Sequence, residues 1–278
     1  MSKTKDNNMI INPRPQYQSV IEKWLNMPTT EANATLKSIL QRGIWCCNNK
    51  ANESCNGILI SGINPSFDEK HPEEPADCSF WETVNANGSD YWQTKKNMVV
   101  GLGLPVAYID LFPLRMTKQD GFMNDKNVPL ELKAELLRIT QNSIEEICPK
   151  LIINPNMGSR VYWGLIDKYS WMGYDMEPVK NIIDKGDLYR IKGIKNKEDV
   201  LQHGFQSKLP ESNTFFLQYK YHGNGVLRQE QYLNSYYVCN CEPTDVLIDT
   251  LRSIDFFALR DAMNLSASLR EPSHISMR

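Results

Sequence analysis

The stretch "GILISGINPSF", residues 57–67, decides the fold. Gly57 to Ser61 is a short apolar run, the pattern of a strand buried on both faces of a parallel sheet. It runs straight into Gly62-Ile63-Asn64-Pro65-Ser66. There glycine permits close backbone approach, proline fixes a turn, and the Asn64 amide can hold water or read a base edge. The stretch is therefore either a strand-ending Asn-Pro turn or an active-site loop at the carboxyl end of a strand.

Working outward, three more runs read as buried strands: "VAYIDLF" (106–112), "KLIIN" (150–154) and "NTFFLQY" (213–219). Helical periodicity marks Gln16 to Gly43, Leu130 to Ile147, and Thr244 to about Leu265. Cys148-Pro149 ends the second of these, and Ser159 is a candidate cap for a helix after Pro155. Residues 176–200 alternate as a hairpin does, and 65–90 reads as a long functional loop. Strands separated by helices predict an α/β protein: a three-layer α/β/α arrangement around a central, mainly parallel sheet. A single domain spans 1–278, with a flexible arm over 1–14, an N-terminal helical segment over 15–45 and a loose tail over 266–278.

The 278 residues suit one large domain, and a composition 41% hydrophobic and 23% charged is that of a globular chain. A net charge of −2 gives no global attraction to nucleic acid or anionic membrane, so a nucleic-acid partner needs a local basic patch. No apolar run reaches the roughly 18 residues needed to span a bilayer. The polar start "MSKTKDNNMIINPRP" lacks a signal-peptide core. The expected location is cytoplasmic. Seven cysteines in irregular spacing fit reduced thiols. Cys46, Cys47 and Cys55 cluster and Cys239 and Cys241 lie far away, but no paired CxxC is present, so no metal is expected.

Unusual polar loops fall at four strand ends: Asn64-Pro65-Ser66, Asp110 to Arg115, Asn154-Pro155-Asn156, and His222-Gly223-Asn224-Gly225. In open parallel sheets such ends build sites. Asp110 stands on an apolar strand, where a carboxylate costs several kcal/mol unless it is paired, hydrogen-bonded or protonated. It reads a substrate donor or activates water, or else it caps a loop or pairs with Arg115. His222 can donate to a leaving group, or is an exposed turn histidine. Phe67, Phe80, Trp81, Tyr91 and Trp92 decorate the long loop, as stacking rings or as pins to the core. Lys180, Lys185, Arg190, Lys192, Lys195 and Lys197 form a basic run, a phosphate track or a solvated hairpin face.

Taken in order, these loops resemble the motifs of the uracil-DNA glycosylase superfamily. Gly62-Ile63-Asn64-Pro65 looks like the first motif of the mismatch-specific and single-strand-selective branches, which ends in Gly where this chain has Ser66. Asp110-Leu111-Phe112-Pro113-Leu114 looks like the single-strand-selective Asn-His-Cys-Pro-Leu, with Asp110 replacing the Asn that reads uracil. His222-Gly223-Asn224 takes the position of the late His-Pro-Ser motif, lacking its Pro and Ser, and Leu227 is the nearest apolar wedge.

The resemblance covers about residues 55 to 230 and implies a cofactor-free N-glycosidic hydrolase acting on a deaminated or damaged base in DNA. Asn64 would position the attacking water, His222 would stabilise the departing base and Asp110 would read it. Gly62, Ile63, Pro65, Ser66, Phe67, Phe80, Asn156 and Asn224 would shape the substrate pocket. Two rival readings stand beside it. One is a non-catalytic module on the same fold that holds a nucleotide or single-stranded nucleic acid. The other is an α/β enzyme acting on a small nucleotide or sugar with Asp110 and His222 as its acid–base pair.

Overall fold

In the computed structural model, the apolar run ahead of Asn64 pairs on both sides and lies inside a six-stranded sheet. The structure describes residues 10–50, 57–101, 103–117, 128–166, 171–179, 186–196, 200–202 and 204–219. Its strands are β1 (Ile10–Ile11), β2 (Asn49–Lys50), β3 (Ile58–Gly62), β4 (Val106–Asp110), β5 (Leu151–Asn154), β6 (Tyr174–Pro178), β7 (Gly186–Ile194) and β8 (Phe215–Tyr219). Its helices are α1 (Arg14–Leu25), α2 (Ala34–Leu40), α3 (Phe80–Ala86), α4 (Asp90–Val99), α5 (Leu130–Ile147) and α6 (Arg160–Trp163). The large sheet runs β4-β3-β5-β8-β7-β6. The four strands expected from the apolar runs pair in parallel, and β6–β7 adds an antiparallel edge. The protein is thus α/β with a mostly parallel central sheet.

Alternation along the strands feeds two apolar clusters. Leu59, Ala107, Ile109, Ile152 and Phe216 join side chains from α1, α2, α5 and α6. Ile58, Ile60, Tyr108, Ile153 and Leu217 join Trp45, Phe80 and Val84 of α3, and Val99 of α4. Leu59 and Ile60 are wholly buried, and burying such a side chain contributes about 1.5–3 kcal/mol. The outer edge of β4 is covered by a side chain: the Asn49 amide donates to the carbonyl of Tyr108 (2.9 Å) and accepts from its N–H (3.0 Å), as a neighbouring strand would.

Several expectations are corrected. Residues 65–90 are not loop throughout, because α3 and the start of α4 lie there. Helix α3 opens on a reciprocal capping box: Ser79 Oγ accepts from Glu82 N–H, and the Glu82 carboxylate accepts from Ser79 N–H at 2.7 Å. The arm assigned to 1–14 is structured from Ile10, since Ile10–Ile11 pairs antiparallel with Asn49–Lys50. Arg14 then opens α1 and forks onto Asp77, with both bonds at 2.5 Å, while also pairing with Glu74. Ser159 precedes α6 but makes no capping bond; its hydroxyl goes to Asn154 Oδ1 (2.9 Å) and the Asn156 carbonyl (2.8 Å). Cys46, Cys47 and Cys78 are free thiols, whereas Cys148 is disulfide-bonded, so the cysteines are not all reduced. Sequence spacing carries no information on which thiols meet in space.

His222, Asn224, Leu227, the 244–265 helix and the 266–278 tail lie outside the described residues. So do Cys55, Cys239, Cys241, Lys180, Lys185 and Lys197. Of the basic run, Arg190 packs over the Phe215 ring, Lys192 pairs with Glu177 at 3.7 Å and Lys195 donates to the Gly164 carbonyl at 2.8 Å. No described helix is long and apolar enough to cross a membrane.

Candidate functional site

Parallel pairing puts the carboxyl ends of β3 and β4 side by side, with Gly62 opposite Asp110. Tyr108 and Asp110 are two residues apart on β4 and so share a face. That face lies over Gly62: a Cβ there would overlap Asp110 Oδ1 and the Tyr108 hydroxyl and stand 3.1 Å from Asp110 Cγ. Glycine opens the loop because the Asp110 carboxyl and the Tyr108 hydroxyl occupy the space a side chain would need.

The two loops then continue as a pair. Leu111 N–H donates to the Gly62 carbonyl (3.2 Å), Phe112 to Ile63 (2.9 Å), Met116 to Pro65 (3.0 Å) and Phe67 to Met116 (3.0 Å). This zipper fixes Asn64, which is 4% exposed. Its Nδ2 donates to the Pro65 carbonyl at 3.0 Å, while its buried Oδ1 has no hydrogen-bond partner among the described residues. An acceptor left so costs about 1–3 kcal/mol unless something fills it.

Asn64, Pro65 and Ser66 line a cleft of about 850 Å³ together with Asp110 and Tyr108. Trp45, Tyr91 and Trp92 give it aromatic walls, and Glu82 and Thr83 reach it from α3. Trp92 packs edge-on against Tyr108 (centroids 4.8 Å apart), Trp45 (5.8 Å) and Tyr91 (5.2 Å). The cation on the lining, Arg115, does not pair with Asp110. Its guanidinium donates to the carbonyls of Arg42, His71, Pro72 and Glu73 and so holds the 71–73 turn in place.

A polar chain leads inward. The Tyr91 hydroxyl meets that of Tyr108 at 2.9 Å, and Tyr108 donates to Asp110 Oδ1 at 2.8 Å. Lys95 is 5% exposed, and its Nζ stands 3.0 Å from the centroid of the Tyr91 ring. Burial pushes the Asp110 carboxyl up to about 7, against the opposing pull of the Tyr108 hydrogen bond and the Lys95 charge. Burial likewise pushes the Lys95 ammonium down to about 7, against the attraction of Asp110. Both groups therefore change charge near neutrality, as acid–base groups in working sites do.

Asn64, Pro65, Ser66 and Asp110 thus meet on one cleft, with Gly62 beneath. Ile63 is in the core and contributes its carbonyl. Phe67 stands off the cleft, with the guanidinium groups of Arg42 (4.8 Å) and Arg115 (5.1 Å) over its ring. Phe80 is 1% exposed in the core and cannot stack on a ligand, which corrects its assignment as a stacking ring. Asn156 is also off the lining; its Oδ1 accepts from Gly158 N–H at 2.8 Å and shapes a turn. The β5 strand end is spent on structure: Asn154 bonds Ser61 (2.9 Å), Ser159 and Gln218 (2.8 Å) across three strands.

Trp45, Tyr108 and Lys95 are functional candidates that reading the sequence missed. Period-two alternation alone puts Tyr108 beside Asp110, and the i, i+3 and i, i+4 spacings of Trp92 and Tyr91 to Lys95 place all three on one side of α4. Among the described residues, no group of three or more His, Cys, Asp or Glu could hold a metal. No protein-family model and no curated protein matches this sequence.

Proposed function

We propose that this chain is an N-glycosidic hydrolase of the uracil-DNA glycosylase type, built as a three-layer α/β/α protein and acting on a damaged or deaminated base in DNA. The observation that carries the reading is Asn64, a residue on the lining of an aromatic cleft beside Asp110 whose buried Oδ1 has no partner among the described residues. An asparagine amide at such a place suits a water molecule, and hydrolysis of a glycosidic bond needs one placed water next to the sugar. Trp92 and Tyr91 offer ring surfaces for a base, and Asp110 offers hydrogen-bond acceptors to its edge. His222 would stabilise the departing base anion. The experiment is base release from oligonucleotides carrying uracil, hypoxanthine, xanthine, 8-oxoguanine or a G·T mismatch, single- and double-stranded, scored as abasic sites. Release that disappears in Asn64→Ala supports the reading; no release from any substrate by a folded protein overturns it.

A second reading follows from Arg115. The guanidinium on the cleft is occupied by four carbonyls, and Glu82 and Asp110 are its acidic neighbours on the lining. A cleft with that charge suits a free nucleoside better than a phosphate backbone. Binding of nucleosides without base release from DNA would favour it.

A further inference from the structure

Ionised, Asp110 offers the cleft acceptors and no donor. Its Oδ1 takes the Tyr108 proton, and among the described residues nothing donates to Oδ2. The residue is 8% exposed, and that exposure opens onto the cleft. Tyr108 has one proton and spends it on Asp110, so the Tyr91 hydroxyl, 2.9 Å away, supplies the proton of the next bond outward. Lys95 Nζ stands at the same corner, over the rings of Tyr91 (3.0 Å), Trp92 (5.6 Å) and Tyr108 (5.9 Å).

We infer that the cleft reads a flat heteroaromatic ring through two adjacent N–H donors, the pattern of a guanine edge, and discriminates against the uracil edge. The inference rests on the proposed function for placing a base against Asp110. An asparagine there would present one donor and one acceptor, which matches the N–H and carbonyl of uracil; a carboxylate presents two acceptors. Set against Asp110, uracil would bring a carbonyl oxygen onto a carboxylate oxygen, with no proton between them. Guanine brings its ring N1–H and exocyclic N–H side by side, and two charge-assisted bonds to one carboxylate are strong and directional. Sites built on such bonds reject the mismatched ring steeply, because the buried polar group is left unpaired. Oxidised guanines that keep this edge form the substrate class, and guanosine reports the edge in binding.

Two measurements on the full chain test this. Tryptophan fluorescence, read from Trp45 and Trp92 on the lining, is titrated with guanosine and with uridine. Wild type should bind guanosine at least tenfold more tightly, and the isosteric Asp110→Asn should reverse the order. Equal or tighter binding of uridine by wild type, no binding of either nucleoside, or an order unchanged in a folded Asp110→Asn would overturn the inference. Should that variant not fold, the wild-type ratio decides alone. Base release from oligonucleotides carrying 8-oxoguanine or uracil is measured in parallel. A guanosine preference with no release from any DNA sinks the glycosylase reading and leaves the edge preference standing. Uracil release without a guanine-edge preference does the opposite.

Discussion

The carboxyl of Asp110 lies directly over the α-carbon of Gly62, its partner across the β3–β4 pair, in the space where any side chain would begin. Gly62→Ala should therefore cost more than an exposed substitution. The new methyl must displace Asp110 and Tyr108, both held by packed neighbours, and forced overpacking of this kind costs about 1–3 kcal/mol. Urea unfolding measures it. Nucleoside binding should weaken as well, since the displaced groups line the cleft. A variant with wild-type stability and binding would show that the two side chains move aside freely.

Asn64→Ala separates chemistry from architecture. The Oδ1 atom has no partner to lose among the described residues, and Nδ2 makes one bond to the Pro65 carbonyl, worth about 1 kcal/mol. Thermal stability should change little. Single-turnover base release should fall about 100-fold or more, the scale seen when one aligned catalytic hydrogen-bonding group is removed. A large loss of melting temperature with an undiminished single-turnover rate would make Asn64 a structural residue.

Much of this arrangement is legible in the sequence, and the reasons differ by element. The four parallel strands are continuous apolar runs, and burial on both faces of a sheet leaves that signature. Asn64 and Asp110 stand out because each follows or interrupts such a run. Helix α3 was hidden because Pro, Asp and Glu dominate its surroundings, although Ser79 and Glu82 carry its capping signal. The environment of Asp110 was not legible, because Lys95 reaches it from α4 and chain spacing alone does not dock a helix on a sheet. Phe80 and Asn156 show the reverse error: residues of the right type near the right loop, one buried in the core and the other committed to a turn.

Asp110 and Lys95 should leave opposite marks on the pH dependence of stability. Asp110 ionises near 4 in the unfolded chain and near 7 in the fold. Across that window the unfolded chain has lost the proton that the fold keeps, so rising pH favours unfolding, by at most about 1.4 kcal/mol per pH unit. Lys95 is charged up to about 10.4 when unfolded and is neutral above about 7 in the fold. Across this second window the unfolded chain holds the extra proton, so rising pH favours folding. Together they place a minimum in stability near neutrality. The groups around the pair are Tyr108 on β4, Tyr91 on α4, Tyr17 on α1, and Cys46 and Cys47. Urea midpoints at pH 5, 7 and 9 test this: Asp110→Asn should flatten the fall below 7, and Lys95→Met the recovery above it. Parallel curves for wild type and both variants would mean that neither group titrates as its burial requires.

Arg115→Lys tests whether a buried cation can serve as scaffold. The guanidinium gathers four carbonyls from two segments, three of them through Nη1 within 3.0 Å. Lysine keeps the charge but loses the planar fork, so some carbonyls lose their donor. Stability should fall by about 1–3 kcal/mol, and protease sensitivity around residues 71–73 should rise. An intact turn in the lysine variant would mean that charge alone suffices there.

Tyr108→Phe isolates the hydrogen bond that holds Asp110. The phenol donates to Oδ1 at 2.8 Å and stabilises the ionised carboxylate, so its removal raises the carboxyl above its present position near 7. A hydrogen bond to a charged group is worth about 1.5–3 kcal/mol, which corresponds to an upward shift of about one to two pH units. Guanosine binding, which needs the ionised carboxylate and the guanine N1–H together, should then begin at a higher pH by that amount, within the range in which N1–H keeps its proton. Tyr91→Phe, one bond further out, should move the profile less. Nucleoside titrations upward from pH 6, kept below the range in which guanine N1–H ionises, on the three proteins decide it. A profile that moves to lower pH in Tyr108→Phe, or moves further in Tyr91→Phe, would show that the carboxylate is held by something other than this chain of hydroxyls.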